Sequence, residues 1–126
     1  MKRLWIGTAL LAVFLVLGIL LGLWMCQTHE ALSLTLDRAY RLATEERLSE
    51  AASLARDAYA DWQNCRNATA ALADHTPMEE IDDLFRELEV YVQMDEPVHY
   101  AATCAQLSAK LRAMGESHSI SWWNLL

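Results

Sequence analysis

Glycine and proline are scarce in this chain, with four glycines and two prolines in 126 residues. Three of the glycines, Gly7, Gly18 and Gly22, fall among the first 25 residues. Beyond residue 27 there is therefore no flexible linker of the glycine- or proline-rich kind, nor the turn chemistry that a run of short strands needs. Basic residues are also outnumbered. Ten Lys and Arg against seventeen Asp and Glu leave a formal charge of -7, which excludes the basic footprint of a nucleic-acid binder. An acidic chain is also poorly suited to lying flat on an anionic lipid surface. Finally, no charged residue occurs between Leu4 and Met25, where Thr8 is the one polar side chain.

That uncharged run is the most informative feature present. Twenty-two residues from Leu4 to Met25 would span about 33 Å as a helix, close to the hydrocarbon thickness of a bilayer. Trp5 and Trp24 stand near its two ends, about 28 Å apart, the separation expected of two interfacial aromatic anchors. Lys2 and Arg3 precede the run, whereas Gln27, Thr28, His29 and Glu30 follow it. The positive-inside rule then places the N-terminus in the cytoplasm and residues 28–126 outside. A cleaved signal peptide would have a shorter apolar core and small residues at its cleavage site. A lipoprotein signal would want a small residue where Met25 precedes Cys26. Both rival readings fit less well than a retained single-pass anchor through residues 4–25. Gly18 and Gly22 form a small-xxx-small pair, a candidate face for homodimerisation of membrane helices, although glycine is common in such helices on its own account.

Residues 28–126 are enough for one small domain of roughly 100 residues. Apolar residues recur there in steps of three and four. Leu32, Leu36, Ala39 and Ala43 make one stripe, ending near Thr44-Glu45-Glu46. Leu48, Ala51, Ala55, Ala58, Trp62, Cys65, Thr69 and Leu72 make a second, ending at Asp74-His75. Thr76-Pro77-Met78-Glu79 reads as a capping box with proline at the first helical position. It opens a third helix bearing Ile81, Leu84, Phe85, Leu88, Tyr91 and Val92. Asp95 is the expected cap of a fourth, whose stripe is Tyr100, Cys104, Leu107, Leu111 and Met114, with Gly115 as its expected stop. The expected fold is all-α: an N-terminal transmembrane helix, residues 1–27 with its cytoplasmic stub, then a small antiparallel bundle of three to four helices over 28–126. The first bundle helix is free to continue directly from the anchor.

The segment His75 to Phe85, the Cys104-Ala105-Gln106-Leu107 helix and the closing Trp122-Trp123-Asn124-Leu125-Leu126 together resemble a family of small bacterial membrane proteins known as domain of unknown function 4363. The resemblance extends over essentially the whole chain. It implies a Gram-positive setting, a spore former among the candidates, and a role in the cell envelope. It brings no activity, cofactor or catalytic residue.

Several residues are candidates for chemistry or contact. Cys65 and Cys104 lie on apolar stripes in a compartment that permits disulfides, so a bridge between them competes with burial as two thiols. Glu80, Asp83 and Glu87 share one face of the third helix and are weak candidates for a divalent cation, against a solvated acidic face or a docking surface for a basic partner. Residues 77–96 hold eight acids and one base, Arg86. His29, His75, His99 and His118 share no metal-ligand spacing and read as surface or capping histidines. Trp122 and Trp123 cannot both face one core on a regular helix, which marks them as a candidate partner contact alongside packing on their own domain or touching the membrane. No nucleophile with its base, carboxylate pair or metal set is legible. The sequence therefore reads as a non-enzymatic, membrane-tethered interaction or accessory module that needs no cofactor, with an envelope or membrane protein as partner. The alternative is a bundle that senses a ligand or divalent cation.

Overall fold

A computed structural model describes residues 1–70 and 76–123, with the side chains of 22, 25, 26, 68–70, 76 and 118–123 left aside. The described residues form four helices: α1 (Lys2–Thr44), α2 (Leu48–Ala70), α3 (Thr76–Gln93) and α4 (Pro97–Trp123). The fold is all-α, an apolar N-terminal helix continuing into an antiparallel bundle. α1 packs against α2 and α4, and α3 packs against the same two helices. The four thus follow one another round the bundle, with α1–α3 and α2–α4 on its diagonals.

α1 is one unbroken helix of 43 residues, about 64 Å long. Its two halves obey different rules. Lys2–Leu21 is long and apolar enough to cross a membrane, and none of it is buried in the protein. From His29 onward the helix becomes amphipathic. His29, Leu32, Ser33, Leu36, Ala39 and Ala43 are buried, at the three- and four-residue steps that keep one face inward.

The described members of each expected stripe are buried or, for Leu48, Tyr91, Val92 and Met114, half-buried. Ala51, Ala55, Ala58, Trp62 and Cys65 face inward from α2, Ile81, Leu84, Phe85 and Leu88 from α3, and Tyr100, Cys104, Leu107 and Leu111 from α4. Thr69 and Leu72, the last two members of the second stripe, lie outside the residues whose side chains are described.

Two features of the helix ends differ from the sequence reading. Asp95 does not cap α4. It has a left-handed backbone, φ 53°, and closes α3: its N–H donates to the Val92 carbonyl and that of Glu96 to Tyr91, the pair of bonds that defines a Schellman turn. The residue before α4 is Glu96, whose carbonyl accepts the Tyr100 N–H. Gly115 does not end α4 either. It is buried within a helix that runs on to Trp123. A mid-helix glycine costs only about 1 kcal/mol relative to alanine, less than packing against α1 returns.

The link from α1 to α2 repeats the same construction. Glu46 is left-handed at φ 61°, its N–H bonds to Ala43 and that of Arg47 to Leu42, and the Arg47 carbonyl then accepts the Ala51 N–H. The bundle is therefore two helical hairpins, α1–α2 and α3–α4, joined by equivalent turns.

Candidate functional site

Two polar clusters lie inside the bundle. On the α2–α3 side, Asp82 is buried. Its Oδ1 accepts the Trp62 indole N–H at 2.8 Å, and Arg66 Nε stands 3.0 Å from its Oδ2. Trp62 is fully buried and meets the His29 ring edge-on at 6.1 Å. The buried His29 therefore belongs to the core, contrary to the expectation of a surface or capping histidine. On the α1–α4 side, Asp37 accepts the Ser108 hydroxyl at 2.6 Å and is paired with Arg112 at 3.1 Å. The Ser33 carbonyl lies 3.1 Å from the same hydroxyl. The hydrogen bonds on Asp82, Trp62 and Ser108 satisfy polar groups that would otherwise destabilise the interior.

The acidic α3 is largely engaged within the protein. Glu80 pairs with Lys110 of α4, Asp82 with Arg66 of α2, Asp83 with Arg86 and Glu89 with Arg56 of α2. Glu80, Asp83 and Glu87 are not assembled into a metal centre; among the described residues no group of three His, Cys, Asp or Glu side chains could hold an ion. The reason is geometric. Spacing put them on one stripe, yet neighbouring bases draw Glu80 toward α4 and Asp83 toward Arg86.

Cys65 and Cys104 are both buried and are not joined to each other. They belong to the diagonal helices α2 and α4. Burial pushes the Cys104 thiol up to about 12, so it is a packed thiol without nucleophilic character at neutral pH. The side chains of Trp122 and Trp123 lie outside the described residues, as do those of Cys26 and His118. Trp5 and Trp24 are exposed, at 77% and 48%. Trp24 also borders a surface recess between α1 and α2 with Gln27, Ala31, Asp61 and Asn64. Gly18 sits in the bare half of α1, and the surroundings of Gly22 are not described.

One arrangement went unnoticed in the sequence. A groove of about 220 Å³ runs between α2 and α3, lined by Ala52, Ala55, Tyr59, Phe85, Leu88 and Val92, with Tyr100 of α4 also contributing. The Arg56–Glu89 ion pair, at 2.9 Å, lies along it. Tyr100 is 1% exposed, and its hydroxyl has no hydrogen-bond partner among the described residues. Burial raises its pKa well above the usual phenol value, with Cys104 and Glu89 adding to the effect and Arg56 opposing it. Read by spacing alone, Tyr100 is one more core residue. The available signal was the run of alanines on the facing helix, which leaves room for a side chain to cross the bundle.

No known family model matches the chain, and no curated protein or solved structure is significantly similar to it.

Proposed function

We propose that the chain is a single-pass membrane protein whose helical bundle serves, outside the cytoplasm, as a non-enzymatic interaction or accessory module of the bacterial cell envelope. The observation that carries this reading is the continuity of α1. Its first half exposes Leu4, Trp5, Ile6, Leu10, Leu11, Phe14, Leu17 and Leu20 among others, far more contiguous apolar surface than a soluble monomer leaves uncovered. Its second half is a core helix of the bundle. With no linker between the two, lipid around residues 4–25 would hold the bundle upright at a fixed height above the bilayer. Lys2 and Arg3 supply the orientation, N-terminus inside. The resemblance to domain of unknown function 4363 supplies the envelope setting.

On this reading the partner is another envelope or membrane protein. It would be met through Trp122 and Trp123 and through those α3 acids, such as Glu79 and Glu87, that the described ion pairs leave out. A Gly18–Gly22 contact between two copies is compatible with it. Alkaline phosphatase fused after residue 126 tests the orientation and carbonate extraction tests the anchoring. The expected outcome is an active fusion in a carbonate-resistant membrane fraction, partly released by Val13→Arg, since a central arginine costs about 2.5–3.5 kcal/mol of insertion. An inactive fusion overturns the orientation, and a soluble chain overturns the anchor.

The second reading, a sensing bundle, loses support in its cation form because Glu80 and Asp83 already have cationic partners. Its ligand form gains support from the α2–α3 groove.

A further inference from the structure

We propose that the α2–α3 groove is a binding site for a neutral, mostly apolar small molecule carrying one hydrogen-bond acceptor, which the Tyr100 hydroxyl holds. Three observations meet here. The groove walls are apolar, supplied by Ala52, Ala55, Phe85, Leu88 and Val92. Tyr100 lines the same groove, and its buried hydroxyl has no partner among the described residues. Buried polar groups are nearly always satisfied, and an orphan in a cleft invites a ligand to complete it.

The chemistry of the occupant follows from its surroundings. Burial keeps the phenol protonated at any physiological pH, so it is available as a donor and its match is a carbonyl, ester or ether oxygen. Charge is disfavoured in either sign. Glu89 would repel a carboxylate, and Arg56 with Arg86 would repel an ammonium, whereas the Arg56–Glu89 pair is already closed on itself. The volume of about 220 Å³ exceeds the engineered cavity of about 150 Å³ that accommodates benzene. A six-membered ring with a short polar substituent therefore fits. The alanines at 52 and 55 make the space, because larger side chains on α2 would fill it. This inference stands independently of which side of a membrane the bundle occupies.

The test uses the full chain in detergent, labelled with 3-fluorotyrosine and titrated with acetophenone and, separately, ethylbenzene, a hydrocarbon of similar shape. The ¹⁹F signal of Tyr100, assigned by its loss in Tyr100→Phe, should shift saturably with the ketone. Tyr59 at the groove should respond too, and Tyr40, outside it, should not. Ethylbenzene should bind about tenfold more weakly, the difference that one hydrogen bond makes. In Tyr100→Phe, a near-isosteric change that the fold tolerates, the Tyr59 signal should report equal affinity for both compounds. Ala55→Leu should abolish the response to either. No saturable shift, a shift that survives Ala55→Leu, equal binding of the two compounds to the unaltered chain, or a preference that persists in Tyr100→Phe would each overturn the proposal.

Discussion

The two hairpins of the bundle are built alike and filled differently. Glu45-Glu46-Arg47 and Met94-Asp95-Glu96 make the same turn, with the same backbone hydrogen bonds and a left-handed acidic residue at the centre of each. A side-chain pair follows at the same spacing in both, Arg47 with Glu50 and Glu96 with His99, the carboxylate coming second in one and first in the other. Beyond the turn the interiors diverge. Near its turn the α1–α2 hairpin presents Ala39, Ala43, Ala51, Ala55 and Ala58, with Leu32, Leu36 and Trp62 farther along. The α3–α4 hairpin presents Phe85, Leu88, Tyr100, Leu107 and Leu111. Small faces large, so a close-packed interior results from one hairpin receiving what the other projects. The exception is beside Ala52 and Ala55, where Tyr100 occupies only part of the room and the groove remains. Equivalent backbone geometry has thus been combined with unequal side-chain volume, and the inequality is what creates a site.

The largest expected effect contrasts the corresponding core residues of the two hairpins. Trp62→Ala should cost about 3–5 kcal/mol, and Leu111→Ala, at the equivalent place on α4, about 2–5 kcal/mol. Trp62 should be the costlier because its loss also removes the indole donor from Asp82. Urea unfolding in a fixed detergent measures both, and an equal or reversed order would show that the hairpins contribute alike.

Next in size, Asp82→Ala should cost about 1–3 kcal/mol by leaving the buried Trp62 N–H unsatisfied. Asp37→Ala, which removes the half-exposed acceptor of Ser108 and Arg112, should cost about 1 kcal/mol. Thermal melts of the two variants compare the α2–α3 seam with the α1–α4 seam.

The turns permit a finer comparison. Replacing Glu46 or Asp95 by glycine relieves the left-handed backbone and should stabilise by up to about 1 kcal/mol, after the entropy that glycine adds to the unfolded chain. Glu46→Gly should gain more than Asp95→Gly, because aspartate tolerates this conformation better than glutamate. Chemical denaturation midpoints decide, and a loss at both positions would show that the acidic side chains stabilise their turns by other means.

The smallest effect distinguishes the charge pairs. The hydrogen bond from Arg47 lowers the Glu50 pKa below its ordinary 4.5. A carboxylate lowered in the folded state contributes stability that is fully present above its unfolded value and lost as pH falls through the folded one. The contribution of this exposed pair should therefore fade only below pH 4.5. Glu50→Gln should remove that small acid-dependent component from the melting profile and leave behaviour at neutral pH nearly unchanged.

Much of the fold was legible because helices announce themselves locally. Leu32, Leu36, Ala39 and Ala43 repeat at helical spacing whatever they pack against, and each is buried. The bare half of α1 was equally plain, since twenty-two residues without charge leave few alternatives. The turns were harder. Asp95 looked like a cap because aspartate caps helices well, but the same residue type also accepts the left-handed conformation that ends one. Which role it takes depends on the register of the preceding helix, set by how Tyr91 and Val92 pack. Gly115 misled for a related reason: glycine marks a stop only where no neighbour sustains the helix.

By itself the sequence determined the helical class, the apolar segment near the N-terminus and the inward face of every helix. These follow from residue order along one chain and from a helical period that needs no partner. Only the tertiary structure decided which side chains from different helices meet. It buried His29 beside Trp62, gave the α3 acids Glu80, Asp82 and Glu89 to bases on other helices, set Cys65 and Cys104 on diagonal helices, and brought Tyr100 to the α2–α3 groove. Such meetings depend on the order and relative heights of helices round the bundle, and residues on different helices carry no local signal of them.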